Sequence, residues 1–309
     1  MASQQVWAVN SFGGYYSNNQ LSKELRIVSQ PLFRFRTFAQ PMREAGKNKG
    51  DIVYFNKHSN IATQGGTLSE TSTIPRRSYS IQRGSLTVTE YGNALAMTEK
   101  LKSLSDISVS DAVRKTLLND QVKVLDSAAA AQFIATKYKA VCVNTASVAF
   151  TTDGTATATS TANLSDRNVR DIVDRLRLMN VPTFGATGEY MSICSVNAIR
   201  GLYDFFEAAA VNTTLKATVS GEVGSYYGTK FVMETNYLPN NLGGLYGGAV
   251  FFGDDAVREG IVVPEEVRID IPKDFGRDQS IAWYYLGGFQ RVWDYSVDSE
   301  ERIIHVTSA

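Results

Sequence analysis

The chain has 309 residues, 43% of them hydrophobic and 20% charged, which is length for about two domains and apolar content for a real core. Lys plus Arg equals Asp plus Glu, 31 against 31, so the chain as a whole has no electrostatic pull toward nucleic acid or acidic lipid. Cys142 and Cys194 are the only cysteines, too few for a disulfide framework or a zinc site, and no apolar run approaches the ~20 residues of a membrane helix.

Residues 1–20 are rich in Ser, Asn, Gln, Gly and Tyr and read as an arm without fixed structure of its own. Their start, MASQQVWAVNSFGG, lacks the charged and apolar regions of a signal peptide, so a cytoplasmic protein is expected. Residues 1–50 hold seven basic side chains (Lys23, Arg26, Arg34, Arg36, Arg43, Lys47 and Lys49) against Glu24 and Glu44. The segment from Leu21 to Phe38 is too apolar to be left in water, yet Pro31 and Pro41 interrupt any long helix or strand. It needs another surface to lie on, its own body or a neighbour's.

Gly50 to Phe55 reads as a short strand opened by a turn. Residues 56–76 are polar, and Ser78 to Glu90 alternates as a second strand spanning roughly 40 Å. A two-stranded hairpin of that length is marginal alone and must lie across something large. Glu70, Arg76, Arg77, Arg83 and Glu90 give it charges of both signs for docking. Two strands inside an ordinary sheet are the alternative. Gly92-Asn93 is expected to turn the chain.

Asp106 to Val141 reads as one long helix, with Asp106, Ser108 and Ser110 as candidate N-caps. Its ~30 residues free of Gly and Pro make a rod of roughly 45 Å. Val113, Leu117, Val124, Ala128, Ala131 and Ala135 form one stripe, and Leu118, Val122, Leu125, Ala129 and Phe133 a second beside it. Arg114, Lys115, Asp120, Lys123 and Asp126 lie mostly off this wide face and should meet water or a partner. A long core helix of an ordinary α/β enzyme fits the same pattern.

Residues 145–162 are nearly all Thr, Ala and Ser, and read as an exposed loop or weak hairpin that marks a domain boundary. The texture then turns α/β. A helix capped by Ser165 should run through Met179 on Val169, Ile172, Val173, Leu176 and Leu178. Tyr190–Cys194, Gly228–Glu234 and Ala249–Phe252 read as strands, and Val196–Ala209 as a helix. Glu266–Pro272, Ser280–Phe289 and Glu301–Thr307 read as late strands.

No catalytic or metal constellation stands out. His58 and His305 have no neighbours at ligand spacing, and HExxH, CxxC, GxSxG and GxGxxG do not occur in the right context. Gly224 to Lys230 falls one residue short of a phosphate loop, its Thr precedes the Lys, and a strand follows where a helix is needed. Gly253-Asp254-Asp255 reads as a strand-ending turn before a cation site, and Asp171/Asp174 and Glu265/Glu266 read as solvated pairs. The expectation is a protein that is not an enzyme and carries no cofactor.

The order of parts resembles the HK97 fold of tailed-phage major capsid proteins, and among them the N4-like family. The resemblance rests on Gly50-Asp51-Ile52-Val53-Tyr54-Phe55, Gly66-Thr67-Leu68-Ser69-Glu70 and Glu90-Tyr91-Gly92-Asn93-Ala94-Leu95, then on 168–179, 190–203 and Tyr227–Val232 before the Gly-Asp turn at 253–254. Each motif is short; their order is the specific part. The resemblance implies an α+β chain with an N-terminal arm (1–48), an extended β-hairpin or E-loop (49–91), a peripheral domain (92–162 and 264–309) built on a spine helix (108–140), and an axial α/β domain (163–263). It implies a shell of hexamers and pentamers around double-stranded DNA, in the virion and assembled in the host cytoplasm. Candidate subunit-interface residues are then Arg34, Arg36, Glu70, Arg76, Arg77, Arg83 and Glu90. Scaffolding, portal and decoration proteins are the further partners it suggests, with no membrane. A bacterial nanocompartment shell of the same fold, which packages enzymes, is the alternative, and a soluble α/β enzyme ranks behind both. The Lys–Asn cross-link of some relatives has no matching constellation here.

Overall fold

The computed structural model describes residues 33–42, 48, 50–58, 65–71, 73–74, 76, 78–79, 81–105, 108–185, 188–212, 222–238, 240–242, 245–270, 274–295 and 300–308. The expectations for residues 1–32, and for Arg77, lie outside the described residues. The first strands are β1 (Gln40–Met42), β2 (Ile52–His58), β3 (Ile81–Thr87) and β4 (Thr89–Thr98). Helices α1 (Glu99–Leu104) and α2 (Val109–Ile134) follow, then β5 (Lys139–Asn144), β6 (Ser147–Thr151) and α3 (Asp166–Leu178). Next come β7 (Tyr190–Ser195), α4 (Val196–Asn212), β8 (Glu222–Tyr226), β9 (Thr229–Glu234), β10 (Asn240–Leu242) and β11 (Leu245–Phe252). The chain closes with β12 (Val257–Ile269), β13 (Asp278–Arg291) and β14 (Ile303–Ser308).

These strands build three sheets: four strands in the order β1-β12-β13-β4, eight strands running β6-β5-β14-β11-β7-β9-β8 with β10 on β11, and the lone pair β2-β3. Helix α2 starts where Ser108 Oγ accepts from the amide of Asp111 at 3.4 Å, so Ser108 is the cap among the three candidates. The helix stops at Ile134, short of the expected Val141. Lys139 Nζ donates to the Ile134 carbonyl at 2.7 Å and Arg291 to the Ala135 carbonyl at 2.8 Å, satisfying the orphan acceptors of the helix end. Residues 139–141 are then claimed by parallel pairing with 305–307, because the β-sheet offers Val141 and Cys142 complete burial.

Each of the two expected stripes of α2 is only partly buried. Leu117, Leu125, Ala129, Ala130 and Phe133 are buried, whereas Leu118 and Val122 are exposed. Residues of the N-terminal half pack on β13 and β4, where Asp120 Oδ2 accepts from Trp283 Nε1 at 3.0 Å and from Asn93 Nδ2 at 2.9 Å. Asp126, expected at the surface, is buried. The cause is the preceding arm, described below.

Gly92 and Asn93 do not turn the chain; they pair with Tyr284 and Trp283 inside β4. A side chain at 92 would press within 2.9 Å of the Trp283 carbonyl, so glycine here serves close strand approach. The single strand expected over 78–90 is broken at Val88, where the chain leaves the β2-β3 ribbon and enters the four-stranded sheet. The strand expected at 266–272 begins earlier, at Val257, ends at Ile269, and carries two register shifts against β13.

The middle strands of the eight-stranded sheet are buried on both faces, and successive residues alternate between two cores. Val250, Phe252 and Ile303 face a core shared with α2, β13 and the arm. Ala249, Phe251 and Ile304 face a second core with α3 and α4. Helix α3 is capped by Ser165, whose Oγ accepts from Asn168 at 3.2 Å, and it buries Val169, Ile172, Val173 and Leu176 as its spacing predicts. Leu178, expected in that set, is exposed. The Thr/Ala/Ser connector contributes the short strand β6 to the sheet edge; the rest of it is exposed or half-buried irregular chain.

Candidate assembly surface

Residues 33–42 form a strap across the body. Phe35 is fully buried against Phe133 and Tyr237, Phe38 packs on Phe184 and Phe252, and β1 then adds in parallel to the edge of β12. Asp126 of α2 holds the strap by its backbone, accepting from the amides of Arg36 at 2.8 Å and Arg34 at 3.3 Å. Burial raises the Asp126 carboxyl above the usual range, against the pull of those amides. Arg36 extends to Glu259, with Nη2 and Nε donating at 2.8 and 3.0 Å, and it also pairs with Glu265. Tyr285 donates its hydroxyl to the same Glu259 oxygen at 2.9 Å. Arg36 therefore spends its guanidinium within its own chain.

The ribbon β2-β3 lies beyond this weld and has two different faces. Inward are Val53, Phe55 and Leu86, which with Met42, Val292 and Trp293 make a small core, and Lys57, whose Nζ sits 5.7 Å from the Trp293 ring centre. Phe55 lies across Gly84, its cross-strand partner; any Cβ there would fall 2.3 Å from the ring. Outward are Ile52, Tyr54, His58 and Ile81, all exposed, with Arg83 over the Tyr54 ring at 5.3 Å and His58 stacked with Tyr79. No other described strand pairs with this ribbon. Glu70 and Arg76 stand exposed in the connection between its strands, and Glu90 accepts from the Tyr284 hydroxyl at 3.1 Å just past its root.

A second exposed apolar set closes the far end of β12 and the turn into β13. Val267, Ile269 and Phe275 are solvent-exposed, and Phe275 holds a left-handed backbone, φ 54°. The sequence reading missed this set. Its only signal was apolar residues interleaved with charge at the end of a strand.

The structure assigns other duties to the groups weighed for chemistry. Residues 224–230 form the β8–β9 hairpin, turning at Tyr227 and Gly228. Asp254 accepts from Gln40, while Asp255 pairs with Arg258 at 2.8 Å and Arg302 at 3.5 Å, so this turn is tied down by side chains. His305 is half-buried with its Nε2 shielded from solvent, and it is held neutral, its pKa pushed down to about 3 by burial and by Lys139. Burial pushes both thiols up to about 12, which makes them poor nucleophiles. Among the described residues no group of three or more His, Cys, Asp or Glu is placed to hold a metal.

The body thus carries a ribbon whose inner face is packed and whose outer face leaves Ile52, Tyr54 and Ile81 exposed. The family described as phage capsid protein matches residues 84–296. The chain belongs to that family. The capsid protein's fold is similar to the capsid of Ralstonia phage GP4 over 98% of each chain, at 13% identity and a TM-score of 0.69. It is likewise similar to the acid-stable capsid of Helicobacter pylori bacteriophage KHP30, covering 94% of this chain and 97% of that one, at 11% identity and a TM-score of 0.69. Cyanophage P-SCSP1u gives 12% identity, coverage of 94% and 92%, and a TM-score of 0.68. No curated protein matches the sequence. The architecture is the HK97-like fold. The chain is a structural major capsid protein of the virion shell, and the phage family, not the nanocompartment, is where it falls.

Proposed function

We propose that copies of this capsid protein tile as hexamers and pentamers into an icosahedral shell around double-stranded DNA, and that the E-loop is the element that joins them. The observation that carries this is the two-faced ribbon: its inner residues Val53, Phe55 and Leu86 are seated on Met42, Val292 and Trp293, while Ile52, Tyr54 and Ile81 stay in water. In this reading Glu70, Arg76, Arg77 and Arg83 dock the ribbon on a neighbouring subunit, and Glu90 sits at its root. Arg34 and Arg36 act from the strap, positioning the arm that reaches along the shell. We divide the chain as arm 1–48, E-loop 49–91, peripheral domain 92–162 with 264–309, and axial domain 163–263. The motif order from Gly50-Asp51 to Gly253-Asp254 supports an N4-like affiliation. Membership of a shell-building family supports a chain without catalytic duty, assembled in the host cytoplasm with separate scaffolding, portal or decoration proteins. Electron microscopy of the expressed chain is the test: closed shells are expected. A chain that stays monomeric at high concentration, with no partner able to drive assembly, would overturn the proposal.

A further inference from the structure

Leu118 and Val122 are one helical turn apart on α2 and are 57% and 39% exposed, although the helix lies in the middle of the main core. Val122 also lines a cavity of about 330 Å³, walled by Phe33, Arg36, Thr37, Asp126 and Glu259. The cavity thus continues the apolar pair into the body as a socket. The exposed charge flanking the pair on α2 is mostly basic. Arg114 and Lys115 lie a turn before Leu118, and Lys123 follows Val122; all three are exposed, and none forms an ion pair among the described residues. Arg34 Nε, on the strap beside the socket, is buried without a hydrogen-bond partner. The nearby acids are committed: Asp120 to Trp283 and Asn93, Asp126 to the strap amides, and Glu259 to Arg36 and Tyr285. Only Asp111, at the start of the helix, stands exposed on this side.

Each available occupant meets that surface differently. Duplex DNA offers phosphates to the lysines and arginines but nothing apolar to cover Leu118 and Val122. The arm of a second copy is apolar but carries seven basic side chains against two acidic ones over residues 1–50, so it meets like charge. An acidic amphipathic helix satisfies both demands. Its apolar stripe covers the pair, one large side chain enters the socket, and its carboxylates reach Arg114, Lys115 and Lys123. We propose that this face of α2 is a docking groove for an acidic amphipathic helix supplied by another protein.

The test uses the unassembled full-length chain and a labelled synthetic helix of about 20 residues, with Leu on one face and Glu on the other. Fluorescence anisotropy should show saturable binding that weakens as salt rises. Leu118→Asp with Val122→Asp, and separately Arg114→Glu with Lys115→Glu, should each weaken it by at least about tenfold. All four side chains are exposed, so these variants keep the native circular dichroism. The milder pair Leu118→Ala with Val122→Ala should weaken binding by a few-fold and serves if the charged pair unfolds. A matched helix with Lys in place of Glu should not bind. Equal binding to the altered chains, equal binding of the Lys helix, or displacement of the Glu helix by a short DNA duplex would each overturn the proposal. Shell formation is scored separately by microscopy, so a failed groove and a failed shell reading are told apart.

Discussion

Asp126 shows how one carboxylate decides where an arm leaves the body. On the helix it falls at a position that reads as surface, yet it is buried because two backbone amides of the strap need an acceptor. Asp126→Ala should cost about 2–3 kcal/mol, the penalty for buried donors left unpaired, with Asp126→Asn costing less because one oxygen remains; urea unfolding measures both. Glu301 predicts a pH dependence. It is buried with Arg291 3.7 Å away, and burial pushes its carboxyl up to about 7 from an ordinary 4.5. Because its folded pKa is the higher one, the folded state binds the proton more tightly than the unfolded state. Stability is therefore lost as pH rises from the unfolded value through the folded one, and nothing is lost below both. Glu301→Gln should raise stability by about 1–3 kcal/mol at pH 8 and change it little at pH 4. Equal effects at the two pH values would show that the carboxyl is not titrating in this window.

At the scale of elements, the β2-β3 ribbon has one face in the fold and the other in solvent. Its root belongs to a small core with Val292 and Trp293, while its connection is exposed where described. Replacing residues 58–74 with a short Gly-containing turn should leave a soluble chain that unfolds cooperatively, since shortening a loop costs little entropy. The same chain should not form shells; normal shells in sedimentation would contradict the interface role, and an unfolded chain would show that the ribbon is core. Gly84→Val tests the seat itself. The new side chain collides with the Phe55 ring, so the ribbon should be lifted and the chain destabilised by about 1–3 kcal/mol, as overpacking usually costs. Hydrogen exchange should then rise in β2 and β3 before it rises in β13.

The whole molecule is organised by one sheet shared between two cores. Phe251 and Phe252 are neighbours in β11, yet the first belongs to the core under α3 and α4 and the second to the core under α2. Truncating either to Ala should cost about 3–5 kcal/mol. Because both cores share that strand, either change should lower a single transition in calorimetry. Two separated transitions, each moved by only one substitution, would mean that the two cores unfold independently.

Much of this was legible in the residues. The apolar spacing of α3, its Ser165 cap, the buried strands around Ile193 and Phe251 and the long helix after Ser108 follow from local periodicity and capping, which depend only on near neighbours in the chain. The order of those parts was enough to suggest the shell fold. Other features depended on partners far away in sequence. Where α2 ends was set by Lys139, by Arg291 and by pairing with 305–307; that Gly92-Asn93 continues a strand was set by β13, about 190 residues on. Periodicity joined Leu118 and Val122 to the buried stripe, but a 26-residue helix presents more apolar surface than one sheet and one strap can cover. Sequence determines that such side chains seek burial. Only the tertiary structure decides which of them the chain buries by itself and which it leaves for another molecule, because burial is a property of the packed surfaces and not of the helix that carries them.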